Sequence, residues 1–277
     1  MRTIIFILFL SIFLQAEITS SNSIHFSGAT TIQPIIEKIA SSYQRTNKES
    51  LYVEGGGTEA GLQKIINKSS DIAMVARSLS EEEKNRFAYM TIAIDAVAVI
   101  HHESQVIKNL TKKELIGFYD GSIRECKNVG CECLNLIIIS RKINRATLDV
   151  FEAYSGLKSP KRKNLPPDAK LIRADAWEAE SNINTLLWVA GLKGAIAIVS
   201  HAEAIRYEKM GYPIRTSAIE NVYPSTETIK NGTYPIKREL NLVWKKENLK
   251  VKQFIGWVKS GAMDASVSEL GFVAVGK

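Results

Sequence analysis

The chain has 277 residues, 45% of them apolar and 23% charged, with a formal net charge of +7. That composition excludes a disordered or low-complexity chain, and the length is long for one hydrophobic core but natural for two lobes. The positive charge favours anionic partners. No basic stripe interleaved with aromatics is present, which argues against nucleic acid.

The chain opens MRTIIFILFLSIFLQA. Arg2 is a short charged start, residues 4–14 are apolar apart from Ser11, and Ala16 suits the last position before cleavage. Residues 1–16 read as a cleavable signal peptide, too short for a membrane span. Leu14 stands where a small residue is preferred, so an uncleaved anchor is the alternative. No cysteine lies near the cleavage region, which argues against a lipid anchor.

SIHFS (23–27) alternates as a short strand. IIEKIASSYQR (35–45) then has apolar residues at helical spacing: Ile35, Ile36, Ile39 and Tyr43. LYVE (51–54) is a second strand, leading through GGGTEAG into the helix LQKIINKSS. DIAMVAR (71–77) and TIAIDAVAVIHH (91–102) are strands, the second long and β-branched. TKKELIGFYDG begins with a Thr–x–x–Glu capping box. LNLIIISR (134–141) is a buried strand, and NRATLDVFEAYSG is a helix ended by Gly156. NINTLLWVAGLKGAIAIVS gives helix, turn and strand. LNLVWKK is a late strand and VKQFIGWVKSGA a terminal helix. KSPKRKNLPP (158–167) is a proline-marked solvated loop. Alternating strands and helices predict an α/β fold with mainly parallel sheets. The lack of a long linker predicts that the chain crosses between lobes more than once.

The three cysteines, Cys126, Cys131 and Cys133, share one loop-like segment. Export implies an oxidising compartment, so the expectation is one disulfide, Cys126 with Cys131 or Cys133, and one leftover thiol. A metal is the alternative, but no fourth ligand is obvious nearby.

Three segments share one design: FSGATTIQP, VEGGGTEAG and IISRKINRATLD each run from a strand through small and hydroxyl residues into a helix. A helix N-terminus offers unpaired N–H groups and about half a positive charge, so each is a ready oxyanion site. Arg77 and Arg141 end neighbouring strands and add charge. Ser or Thr at a helix start is more often a simple cap, so weight falls on the recurrence and on the glycine triplet Gly55–Gly56–Gly57. Three glycines are conformationally costly and suit a loop whose backbone must approach something closely.

Competing motifs fail. Gly56-x-x-x-x-Gly61 has P-loop spacing, but Leu62-Gln63 replaces Lys-Ser/Thr. The neighbours His101 and His102 face opposite ways on a strand. There is no nucleophile elbow and no evident carboxylate pair, so an enzyme is unsupported and no cofactor is expected.

These segments together resemble the PstS-type phosphate-binding proteins of bacterial phosphate ABC transporters. FSGATTIQPIIEKIASSYQ resembles that family's first loop and helix, GGGTEAGLQKI its glycine-rich second loop, and DIAMVAR its third segment. IAIDAVAVI resembles the crossing strand, PSTETIKNGTYPIKREL the return crossing, and the C-terminal FIGWVKSGAMDASVSELGFVAV the family's last helix. The resemblance implies a two-lobed type II periplasmic binding protein fold, with the chain crossing twice between lobes: lobe one 22–96, lobe two 97–225, and a return to lobe one at 226–277. It implies a monomeric periplasmic protein that captures an oxyanion, foremost phosphate, for an ABC permease. Thr30, Thr31 and Thr58 would donate to the anion from lobe one, and Arg141 and Thr147 from lobe two.

The chain departs from the family's pattern at several places. Arg145 and Ala146 stand where the family has Ser and Gly, Glu59 where a small residue is usual, and Ala76 where an Asp often accepts the proton of hydrogen phosphate. The ligand set is therefore extended to Arg77, Arg145 and Glu59. Glu59 is expected either to replace the missing acceptor or to pair with Arg145, the pairing being preferred. Alternatives are another anion (sulfate, molybdate, tungstate, an organic phosphate or phosphonate) or a sensor that reuses the fold without transport.

Overall fold

In chain order the computed structural model consists of β1 (Ser23–Gly28), α1 (Gln33–Thr46), β2 (Ser50–Gly55), α2 (Thr58–Ile66), β3 (Ile72–Val75), α3 (Glu81–Arg86) and β4 (Phe87–His102). There follow β5 (Asn109–Leu110), α4 (Lys112–Asp120), β6 (Ile137–Arg141), α5 (Ala146–Ser155), β7 (Trp177–Ala179), α6 (Asn182–Gly191), β8 (Ala195–Ser200), α7 (His201–Lys209) and β9 (Ile214–Ile219). The chain closes with α8 (Thr226–Lys230), β10 (Lys237–Lys245), α9 (Lys252–Lys259), α10 (Asp264–Glu269) and β11 (Val273–Ala274). The structure describes residues 23–47, 49–129 and 136–275. The leader at 1–16 and the pairing of Cys126 with Cys131 or Cys133 lie outside the described residues. No helix among the described residues is long and apolar enough to cross a membrane.

The strands run in the order β2-β1-β3-β10-β4-β8-β6-β7, with β11 and β9 on β4, and β5 on β9. Pairings inside each lobe are parallel: β1 with β2 and β3, β6 with β7 and β8, β5 with β9. Among the described residues every antiparallel pairing between strands involves β4 or β10. These are the crossing strands. β4 pairs β10 through Phe87–Ala96 and then β8 from Val97 onward. The Val97 N–H also donates to the Ile236 carbonyl at 2.8 Å, just before β10 begins.

Each lobe has its own apolar interior. In lobe one, α1 buries Ile35, Ile36, Ile39 and Tyr43 at the predicted spacing. Tyr43 meets Phe254 and Trp257 edge-on, at centroid distances of 5.2 and 5.3 Å. Removing large buried side chains of this kind from water stabilises by about 1.5–3 kcal/mol each. Lobe two centres on Phe118, Phe151, Leu148, Ile138, Ile196 and Ile198. Ile229, Tyr234 and Ile236 pack in this second interior. β8 is buried along its whole length, the expected pattern for a strand covered on both faces.

Local chemistry sets the helix ends. In α4 the Thr111 hydroxyl accepts the Glu114 N–H at 3.2 Å, and the Glu114 carboxylate accepts the Thr111 N–H at 2.7 Å. Gly121 and Gly156 end α4 and α5 in the left-handed conformation, at φ 83° and 78°. Side-chain caps also start α3 (Ser80), α6 (Ser181) and α8 (Ser225). By contrast, α1, α2 and α5 have no side-chain cap, and neither do α7, α9 and α10. Helices α1, α2 and α5 follow the three similar strand–turn segments.

Candidate functional site

The turns into α1, α2 and α5 meet at one small cavity between the lobes. Thr30, Thr31, Gly57 and Thr58 line it from lobe one, and Arg141, Arg145, Ala146 and Thr147 from lobe two. Arg238, near the start of β10, closes one side, and Ala76 lines it with methyl alone. Thr58 and Thr147 are the first and second residues of their helices rather than caps. The starts of α2 and α5 and the turn ahead of α1 therefore border a common space, an arrangement that favours an anion.

The glycines have separate reasons. A Cβ on Gly57, at φ 99°, would stand 2.8 Å from the Asn144 carbonyl oxygen and 3.1 Å from Arg145 Nη1, both across the cleft. Gly57 is bare so that the loop of lobe two can close over it. A Cβ on Gly55 would press on Gln33 and Thr30, and one on Gly61 would meet the Ser27 carbonyl at 2.5 Å. On Gly56 a Cβ would only touch Ala60 at 3.6 Å.

Three guanidiniums line the cavity. Arg141 is 2% exposed, and its Nη1 donates to the Thr185 hydroxyl at 2.6 Å. Its Nε is buried without a partner. Burial, then the charge of Arg238, pulls the Arg141 pKa down to about 9, which leaves it charged at neutral pH. Arg238 donates from Nε and Nη2 to Asp95 at 3.1 and 2.7 Å, from Nη1 to Thr147 Oγ1 at 2.9 Å, and from Nη2 to Thr31 Oγ1 at 3.2 Å. Arg145 is half-buried and makes no hydrogen bond or ion pair among the described residues. Asp95 is the one carboxylate bonded to these guanidiniums among the described residues. A charge excess of this kind suits a doubly negative ligand.

The threonines are set as donors. The Thr31 and Thr147 hydroxyl oxygens accept N–H bonds from Arg238, and Thr58 Oγ1 accepts the Ala76 N–H at 3.2 Å. A hydroxyl whose oxygen already accepts keeps its hydrogen for another partner. The cavity thus presents donors and positive charge, and no carboxylate lines it.

Thr30, Thr31, Thr58, Arg141, Arg145 and Thr147 are brought together as the sequence suggests. Arg77 and Glu59 are not part of the cavity lining. Arg77 donates to Glu59 at 2.7 Å and to both oxygens of Glu83 at 2.8 and 2.9 Å. The expected Glu59–Arg145 pair is therefore corrected to Glu59–Arg77. Both partners sit on lobe one, and Glu83, in the first turn of α3, completes the bidentate contact. These bonds, chiefly that to Glu83, hold the Arg77 pKa above its ordinary value. Arg238 and Asp95 are the site residues missed by sequence reading. A signal existed: an Asp inside the apolar run IAIDAVAV must be paired if buried.

Comparison with known proteins agrees with this geometry. The PBP superfamily domain matches residues 15–261. A phosphate-binding protein PstS from Borreliella burgdorferi is 26% identical over 258 residues, covering 91% of this chain and 90% of that protein. One from Staphylococcus epidermidis is 24% identical over 267 residues, covering 89% and 77%. Among solved structures, an ABC-type phosphate transport receptor from Vibrio cholerae superposes with TM-score 0.72 at 25% identity, over 91% of this chain and all of that one. A substrate-binding protein from Clostridium perfringens, solved with bound phosphate, superposes with TM-score 0.81 at 24% identity, over 92% of this chain and all of that one, and so shares the fold. Matched over most of its length and carrying the two-lobed fold, the chain belongs to the PBP superfamily.

Proposed function

We propose that this protein is an extracytoplasmic solute-binding protein that captures inorganic phosphate between its lobes and delivers it to an ABC permease. One observation carries the reading: the starts of α2 and α5, the turn ahead of α1 and the guanidiniums of Arg141, Arg145 and Arg238 surround one cavity, and Asp95 is the one carboxylate bonded to those guanidiniums among the described residues. The names of the relatives support phosphate as the anion. The binding set is Thr30, Thr31, Thr58, Arg141, Arg145, Thr147 and Arg238. Glu59 and Arg77 hold the rim of lobe one instead, through their ion pair. Lobe one comprises 22–96 and 237–277, and lobe two 97–236. This moves the return crossing from residue 226, because Ile229, Tyr234 and Ile236 pack with lobe two. The protein is exported through residues 1–16 and acts as a monomer in the periplasm, without covalent chemistry.

Binding follows hinge closure, with donors from each lobe meeting on the anion. In the closed, water-poor space, charge-assisted bonds are strong. A micromolar Kd corresponds to about 8 kcal/mol, within reach of several such bonds. One observation favours a second reading. With Ala76 and no carboxylate lining the cavity, no accept-only side chain there distinguishes a protonated oxyanion from sulfate. Calorimetric titration of ligand-stripped protein with phosphate, sulfate and molybdate at fixed ionic strength tests both. One-to-one phosphate binding with sulfate silent supports the first, and sulfate or molybdate binding more tightly than phosphate replaces it.

A further inference from the structure

Asn182 begins α6 and is 1% exposed. Its amide Nδ2 donates to Thr31 Oγ1 at 3.2 Å and also to the buried carboxyl of Glu203 on α7. Arg238 Nη2 donates to the same Thr31 oxygen, likewise at 3.2 Å. Thr31 lines the anion cavity, whereas Asn182 and Glu203 lie in a neighbouring polar cleft.

A hydroxyl oxygen has two acceptor lone pairs and one hydrogen. At Thr31 two N–H donors occupy the acceptor positions, and its hydrogen has no protein acceptor among the described residues. We propose that Asn182 is a positioning residue for the anion site: fastened to Glu203, it holds Thr31 in the state whose hydroxyl donates to the bound oxyanion. The inference rests on the proposed function.

Glu203 explains why the amide presents nitrogen. In its ionised form this carboxylate accepts only and so selects the NH₂ end of Asn182, which fixes what Thr31 meets and leaves Asn182 Oδ1 buried without a partner. The bond also spans the cleft, because Thr31 belongs to lobe one and Asn182 to lobe two. Thr31 therefore becomes a committed donor when the lobes meet, in step with arrival of the Arg141 and Arg145 charges.

The test is a double-mutant cycle on inorganic phosphate affinity, read by calorimetry, with Thr31→Val, Asn182→Leu and the pair. Both substitutions keep shape and change no charge. Thr31→Val is expected to weaken binding about tenfold or more, the loss of a hydrogen bond to a charged partner. Asn182→Leu should weaken it about fivefold in the wild-type background and less than twofold when Thr31→Val is already present. A purely structural role for Asn182 would give equal losses in both backgrounds, and that result overturns the proposal, as does no loss in the first. Asn182→Ser, run through the same cycle, decides the matter should the Leu variant fail to fold. Wild-type protein that ignores phosphate would overturn the functional reading and this inference with it.

Discussion

Arg238 and Asp95 are cross-strand partners on the two strands that join the lobes, and their side chains meet at 2.7 Å with 1% exposure each. The pair therefore sits at the hinge line and at the wall of the anion cavity together. Breaking a buried pair leaves an uncompensated charge and costs about 3–5 kcal/mol, while replacing both partners by apolar groups is often neutral. Arg238→Met should lower unfolding free energy by about that amount in urea titrations. The Arg238→Met/Asp95→Leu double variant should recover most of the stability but bind phosphate at least tenfold more weakly, since Thr31 and Thr147 lose the guanidinium that orients them. A double variant as unstable as the single one would show that the pair is not the source of the cost.

The glycine triplet gives an internal control. Gly57→Ala places a methyl 2.8 Å from the Asn144 carbonyl of the other lobe, at a φ of 99° that L-residues avoid. Gly56→Ala meets only Ala60 at ordinary contact distance. The expectation is a phosphate affinity reduced at least tenfold for Gly57→Ala, with a backbone cost of about 1–3 kcal/mol, and little change in affinity for Gly56→Ala. Equal affinities for the two variants would separate the triplet from closure.

Much of this was readable from the sequence because it is local. The capping box of Thr111 and Glu114, the helix-ending Gly156, the stripe Ile35–Ile36–Ile39–Tyr43 and the three strand–turn–helix units all depend on residues a few positions apart. What was not readable depends on topology. Asp95 and Arg238 are separated by 143 positions and meet only because β10 returns antiparallel to β4. The choice of Arg77 over Arg145 as the partner of Glu59 turns on which lobe each side chain occupies, a question that charge alone does not answer. Helix α3 escaped notice because it buries no residue and so shows no apolar period.

Arg145 and Glu59 should separate cleanly by mutation. Glu59 is already engaged by Arg77 at 2.7 Å, so Glu59→Gln should leave phosphate affinity within about twofold, the range of an exposed ion pair. Arg145 has no protein partner among the described residues and lines the cavity. Arg145→Gln should weaken binding by about tenfold or more, as for a charge-assisted bond. It should also flatten the decline of affinity with added salt, because one unpaired cation is gone. A large effect of Glu59→Gln, with none of Arg145→Gln, would return Glu59 to the ligand set.

Glu203 gives a pH signature of stability. Burial, the largest cause, pushes its carboxyl up to about 7, against the opposing influence of its Asn182 bond and of Arg206 at 3.8 Å. The same group titrates near the ordinary carboxylate value of 4.5 when unfolded. Between those values the folded state holds the proton more tightly, so this group's contribution to stability falls as pH rises through the window and levels off above it. The full span is about 3 kcal/mol as an order of magnitude. Glu203→Gln keeps the shape and removes the titration. Its stability relative to wild type, from urea unfolding of phosphate-free protein, should therefore rise from pH 4.5 to pH 8. Other carboxylates behave oppositely. Burial pushes Asp71 up, but its bonds to Lys250 and the His25 N–H outweigh that and hold it below its ordinary value. Arg77 does the same for Glu83, so the contribution of both groups is lost as pH falls. Those groups are common to both proteins and cancel in the difference. Parallel stability curves across the window would show that Glu203 stays ionised in the folded protein, with the guanidiniums of Arg206, Arg141 and Arg238 compensating its burial.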